Sequence, residues 1–123
     1  MTAKEYFLKY IAVDTTSDES NPCCPSSENQ RKLAEIIVGD LRAIGVSDAF
    51  VDQHGYVYGT IPANADNQPV IGLIAHMDTS DGAPGGPVRA REVRYSGGDL
   101  MLNAEKGIAL TEKDFPYVCS PIC

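Results

Sequence analysis

Apolar side chains near the start of the chain recur at helical spacing. Tyr6, Phe7, Tyr10, Ile11 and Val13 fall at i, i+3 and i+4 within AKEYFLKYIAV and predict one face of a helix over residues 3–13. Thr2 stands at the N-cap position, and Glu5 three residues later completes the pattern of a capping box. The next stretch, DTTSDESNPCCPSS, is dense in side chains that hydrogen-bond their own backbone, and predicts a loop. A second stripe, Leu33, Ile36, Ile37, Leu41 and Ile44, predicts a helix over residues 27–44 that starts at Ser26 or Ser27, with Gly45 at the C-terminal cap.

The pattern then changes. DAFVDQ and YVYGTIPA flank His54-Gly55 and predict a hairpin pairing 49–53 with 56–61. After Pro69, the run VIGLIA (70–75) has no polar side chain, which suits a central strand covered on both faces. Further on, REVRY, GGDLMLN and KGIALT predict short strands separated by glycine turns. The order helix, helix, hairpin, buried strand predicts a layered α/β domain, without internal repeat or linker.

Composition narrows the function classes. The chain has 123 residues, 43% hydrophobic and 22% charged, which suits one globular domain. Its 17 acidic residues outnumber 10 basic ones, for a net charge of −7, and no basic cluster is available to track phosphates. Nucleic acid is therefore not an expected partner. No apolar run approaches the roughly 18 residues of a membrane span, so a membrane is not expected either. Lys4, Glu5 and Lys9 interrupt the apolar N-terminus, unlike a signal peptide, and a cytoplasmic location is expected. In that compartment Cys23, Cys24, Cys119 and Cys123 are expected as free thiols. Their spacing is not a zinc pattern, and a joint role needs the two pairs within about 7 Å of each other.

Two histidines are present. His54 precedes a glycine in the hairpin turn and is expected to face solvent. His76 ends the apolar run, in IAHMDT, at the end of a strand where α/β sheets collect ligands. Asp78 lies two residues on, and on an extended backbone i and i+2 share a face. A carboxylate there holds one imidazole nitrogen and leaves the other to bind a metal, although a hydrogen-bonded structural histidine fits the same spacing. A hydrolytic zinc takes three or more protein ligands. Asp81 and Asp99 are available, but no spacing selects them.

Several segments resemble the N-terminal part of peptidase T, the zinc-dependent tripeptide aminopeptidase family. They are FLKYIAVDTTSD, CPSSENQRKLAEIIVGDLRAIG, GYVYGTIPAN, PVIGLIAHMDTSDGAPGGPV and YSGGDLMLNAEKGIALTEKDFP, in the family's order and covering about residues 6–116. The resemblance implies a partial three-layer catalytic domain of a dinuclear zinc exopeptidase, a mixed sheet with helices on both faces, with residues 1–116 as its N-terminal portion. It implies that His76 is a zinc ligand and that Asp78 is the carboxylate orienting it. In the complete family enzyme two zinc ions activate a water against the peptide bond next to the free N-terminus of a tripeptide. A smaller inserted domain serves dimerisation or substrate closure, compatible with a homodimer. The bridging aspartate, the Glu-Glu pair that holds the general base, a further aspartate and a distant histidine have no counterpart in these 123 residues. Residues 117–123, YVCSPIC, diverge from the family. At most one partial zinc site is expected here, and the chain alone is expected to be inactive or a non-catalytic interaction module. With later strands and helices missing, an exposed sheet edge is expected as well.

Overall fold

The structure, a computed structural model, describes residues 1–86 and 88–118. It divides into two compact units, Met1–Ala90 and Arg91–Cys123.

In the first unit, α1 spans Ala3–Tyr10 and carries the expected capping box. The Glu5 N–H donates to Thr2 Oγ1 at 3.3 Å, and the Thr2 N–H donates to Glu5 Oε2 at 2.6 Å. Two of the helix's unpaired N-terminal donors are thereby satisfied. Helix α2 spans Glu28–Ala43, with Ser27 as N-cap and Ile44 as C-cap, and Gly45 follows at φ +103°, a backbone region that glycine enters without steric cost. Lys9 Nζ lies 2.6 and 2.8 Å from the two carboxylate oxygens of Asp40 and ties α1 to α2.

The buried face of α2 is Gln30, Leu33, Ala34 and Val38. This corrects the expected stripe. Leu33 belongs to it, but Ile36, Ile37 and Leu41 are half-buried and Ile44 is 63% exposed. The helix turns its smaller side chains inward because the hairpin lies close against it.

That hairpin pairs β1 (Phe50–Val51) with β2 (Val57–Tyr58) in antiparallel register, Phe50 opposite Tyr58 and Val51 opposite Val57. The regular pairing is shorter than expected, and the Asp52 N–H to Tyr56 carbonyl bond at 2.9 Å continues it toward the turn. Asp52 Oδ1 accepts from the N–H groups of His54 and Tyr56, both at 2.9 Å, and Gly55 takes φ +84°. Val38, Val46 and Ala49 form the centre of the core, with Leu41, Val51 and Val57 packed on it. Arg31 adds a polar clamp, its guanidinium donating to the Asp52 and Gln53 carbonyls at 3.3 and 2.7 Å. Truncating Leu33, the largest aliphatic side chain buried here, would cost about 2–5 kcal/mol, a large share of what so small a core supplies.

Residues 70–75 do not form the expected buried strand. Val70, Leu73 and Ile74 are 99, 92 and 100% exposed. A strand exists through the ladder on its edges and the layers on its faces. Among the described residues none pairs with 70–75, so the apolar run has the composition of a central strand without the partners.

In the second unit, β3 (Leu100–Asn103) pairs antiparallel with β4 (Ile108–Leu110) across a turn containing Gly107, with a bulge between Met101 and Asn103. These match two of the three expected strands. Residues 91–95 (REVRY) form no strand, although Arg91 donates to the carbonyls of Met101 and Leu102 at 2.8 and 3.2 Å. Pro116–Val118 closes the described chain in a 3-10 turn. The architecture is a small α/β one, and its described sheets are two antiparallel pairs rather than a mixed sheet between helical layers.

Candidate functional site around His76 and Asp78

The site is assembled where the loop after α1 meets the segment after the apolar run. Asp14 Oδ1 accepts from the Thr16 N–H at 3.1 Å and from its hydroxyl at 2.5 Å, a turn made by an aspartate on its own backbone. This presents Thr15, Thr16 and Ser17 as an extended edge. Thr16 pairs in a parallel bridge with Thr79. The Ser17 N–H donates to the Thr79 carbonyl at 2.9 Å, and the Thr79 N–H to the Thr15 carbonyl at 3.2 Å. Thr15 is buried and its hydroxyl donates to the Met77 carbonyl at 2.8 Å.

Two other pieces hold this bridge. From α2, the buried Gln30 side-chain amide lies 3.4 Å from the Thr15 carbonyl, 3.2 Å from Ser26 Oγ and 3.5 Å from Ser17 Oγ. On the outer side the backbone of Gly85-Gly86 runs against Asp14 and Thr16. A Cβ on Gly85 would fall on the Thr16 hydroxyl, and one on Gly86 would stand 2.9 Å from Asp14 Cβ.

The bridge fixes the backbone from which His76 and Asp78 project. Their side chains share a face, with His76 Nδ1 3.1 Å from Asp78 Oδ1. The other carboxylate oxygen, Oδ2, accepts from the Ser17 hydroxyl at 2.7 Å. Together these bonds, the Ser17 one foremost and the imidazole next, hold the Asp78 carboxyl below the usual carboxylate range. The imidazole is 84% exposed and the carboxylate 48%. Nε2 of His76 makes no hydrogen bond among the described residues, so it is the face the ring offers outward.

The remaining sequence candidates lie elsewhere. His54 is exposed in the hairpin turn, as expected, beside the Gln53 amide at 3.1 Å. Asp81 occupies an exposed turn. Asp99, in the second unit, accepts from the Glu112 N–H at 3.0 Å. Cys23 and Cys24 are exposed free thiols, and the Cys24 thiol lies 3.5 Å from the His54 carbonyl oxygen. Cys119 and Cys123 lie outside the described residues, and a joint role of the four thiols lies outside them too.

Among the described residues no three histidine, cysteine or carboxylate side chains are gathered to hold a metal ion. A zinc centre built of three or more protein ligands does not fit the residues present; a single orientable imidazole does. Sequence reasoning identified His76 and Asp78 but not Ser17, Thr15 or Gln30. The only signal at Ser17 was the hydroxyl-rich loop around it, and none marked Gln30.

No family model matches the chain. Its similarity lies with proteins named peptidase T. It is 46% identical over 114 residues to that of Geobacillus kaustophilus, covering 91% of this chain and 28% of the relative. It is 44% identical over 117 residues to that of Parabacteroides distasonis (94% and 29%) and 44% over 116 residues to that of Clostridium acetobutylicum (93% and 28%). The chain spans a little over a quarter of the length of these relatives. Across that span, identity of this order sustained over nine-tenths of its residues means that the chain belongs to the peptidase T family.

Proposed function

We propose that this chain is the histidine-bearing portion of a zinc aminopeptidase acting on tripeptides, and that the 123 residues alone are catalytically silent. One observation carries the reading. In a chain similar to peptidase T over nine-tenths of its length, the strongest candidate ligand, His76, has Nδ1 on a carboxylate and Nε2 directed outward. That is the arrangement in which an imidazole serves as a metal ligand. Zinc supplies such an enzyme with a polarised water. No step of that kind can be assembled from the described residues, whose share is one imidazole and the carboxylate that aims it. The reading carries with it short peptides as substrates, a cytoplasmic location and a homodimer for the complete enzyme. No described helix is long and apolar enough to cross a membrane.

A second reading, a non-catalytic module that associates through residues 70–75, has its own observation in the exposure of Val70, Leu73 and Ile74. One experiment separates the parts. The purified chain is incubated with tripeptides, with and without zinc or cobalt. No release of the N-terminal residue above background is expected. Cleavage that needs metal and is stopped by a chelator would overturn catalytic silence. Silence and association through residue 74 are compatible with both readings, and zinc content that is unchanged when the residue equivalent to His76 is replaced in a full-length relative favours the module.

A further inference from the structure

We infer that Ser17 and Gln30 are positioning residues that set the tautomer of His76. The inference deepens the reading above, since it rests on the His76 ring being the group on offer. Its basis is a run of four side chains, Gln30, Ser17, Asp78 and His76, joined by hydrogen bonds. The Gln30 amide nitrogen faces the Thr15 carbonyl at 3.4 Å, and a carbonyl accepts only, so the NH2 end of the amide must point there. The same NH2 group lies 3.2 Å from Ser26 Oγ and 3.5 Å from Ser17 Oγ, so its two hydrogens are shared among three acceptors, Ser17 one of them. Ser17 then has its own proton for Asp78 Oδ2 at 2.7 Å, where an ionised carboxylate accepts only. With Oδ2 held, the carboxylate plane is fixed, and Oδ1 is left 3.1 Å from His76 Nδ1. The proton in that contact must come from the ring. The neutral imidazole therefore carries its hydrogen on Nδ1 and its lone pair on Nε2.

The arrangement answers a specific difficulty. His76 and Asp78 are both well exposed, and an exposed carboxylate turns about its last torsion among water partners. Ser17 removes that freedom. Ser17 is itself fixed by its backbone N–H on the Thr79 carbonyl at 2.9 Å, a bond that does not use the hydroxyl. Gln30 is buried on α2, so the last member of the run is anchored in the core. The set is a hydrogen-bonded train from a helix interior to an exposed ring, in which the carboxylate fixes the direction of the Ser17 and His76 bonds.

The test reads the ring and not activity. The full chain, labelled with 15N, is held above the ordinary imidazole pKa, and long-range proton–nitrogen correlations report which ring nitrogen is protonated. In the unaltered chain the Nδ1-H form of His76 should dominate. Ser17→Ala keeps the backbone bridge and should lower the ratio of Nδ1-H to Nε2-H by about threefold or more, a fraction of what one charge-assisted hydrogen bond is worth, because Ser17 acts on the ring through Asp78. Ser17→Thr retains the hydroxyl and should restore it, and the His54 ring should not respond to either change. The amide signals of Ser17 and Thr79 verify that the bridge persists. A dominant Nε2-H form in the unaltered chain, an unchanged ratio in Ser17→Ala, or a threonine variant that behaves like the alanine one would each overturn the inference. The underlying reading is tested separately, on the complete enzyme. Zinc content of a full-length relative that is unchanged by loss of the residue equivalent to His76, while the tautomer effect stands here, defeats the reading and leaves the positioning intact.

Discussion

Thr16 and Thr79 face each other across a parallel bridge, 63 residues apart in sequence, and a Cβ on Gly85 would fall on the Thr16 hydroxyl. A side chain at residue 85 has no room there. Its Cβ would also stand 2.5 Å from Asp14 Oδ1 and 3.0 Å from Thr16 Cβ, so rotating the threonine does not relieve the clash. Gly85→Ala should therefore open the bridge and destabilise the first unit by about 1–3 kcal/mol. Amide hydrogen exchange at Ser17 and Thr79 should accelerate, whereas Gly72→Ala, at a position with open space around its Cβ, should leave both unchanged.

The contact between α1 and α2 makes stability depend on pH at both ends. Lys9, by hydrogen bond and charge, is the main cause holding the Asp40 carboxyl below its ordinary value of 3.8. The folded state then binds that proton less readily than the unfolded chain. This contribution is complete above the unfolded value and is lost as pH falls below about 3.8 through the folded one. Tyr10 behaves in the opposite sense. Burial, followed by its hydrogen bond to Asp40 and that group's charge, raises its phenol from 10.0 to about 12. Its contribution is present below pH 10.0 and disappears as pH rises through about 12. Lys9→Met should flatten the acid limb of a stability–pH curve measured by urea unfolding. Tyr10→Phe should remove the phenol that ionises near pH 12 from the alkaline absorbance titration.

At the corresponding positions of a full-length relative, replacing the residue equivalent to His76 by alanine should abolish tripeptide turnover. The change equivalent to Asp78→Asn keeps the shape and loses the charge. It should lower metal affinity or rate by about 10–100-fold, measured as zinc content and kcat/KM. The change equivalent to His54→Ala should do much less, because among the described residues the His54 ring meets a neighbouring amide and no carboxylate. Unchanged zinc content after loss of the His76 equivalent would remove the ligand role.

Residues 70–75 combine high β-propensity, no charge and near-complete exposure. Such a segment is a template for strand pairing between chains. Static light scattering of the purified chain should rise with concentration, and Ile74→Lys should suppress the rise without altering the far-ultraviolet circular dichroism of the helices. Equal scattering from both proteins would show that association runs through another surface.

What could be read from the sequence depended on the range of the interactions involved. The α1 cap lies within four residues, and Thr2 and Glu5 announce it directly. The hairpin turn was equally local, made by Asp52 and Gly55. Along α2 the large apolar residues at helical spacing point to Ile36, Ile37 and Ile44. Burial instead follows the closeness of the hairpin, which suits Ala34 and Val38, and the loop carbonyl that draws in the polar Gln30. The VIGLIA run failed as a prediction of burial because a pattern records what a segment prefers, not whether its neighbours are present. At the site, His76 and Asp78 were legible because two residues on an extended chain share a face. Ser17 was not, because its partner lies 61 residues away.

Gln30 lies one helical turn before Ala34, the fully buried residue of α2. Any side chain larger than a methyl at residue 34 must lift or roll the helix, and Gln30 moves with it. The amide would then lose the Thr15 carbonyl and Ser17 together. The volume available beneath the helix and the direction in which an exposed imidazole points are thus mechanically the same adjustment, made about four residues apart.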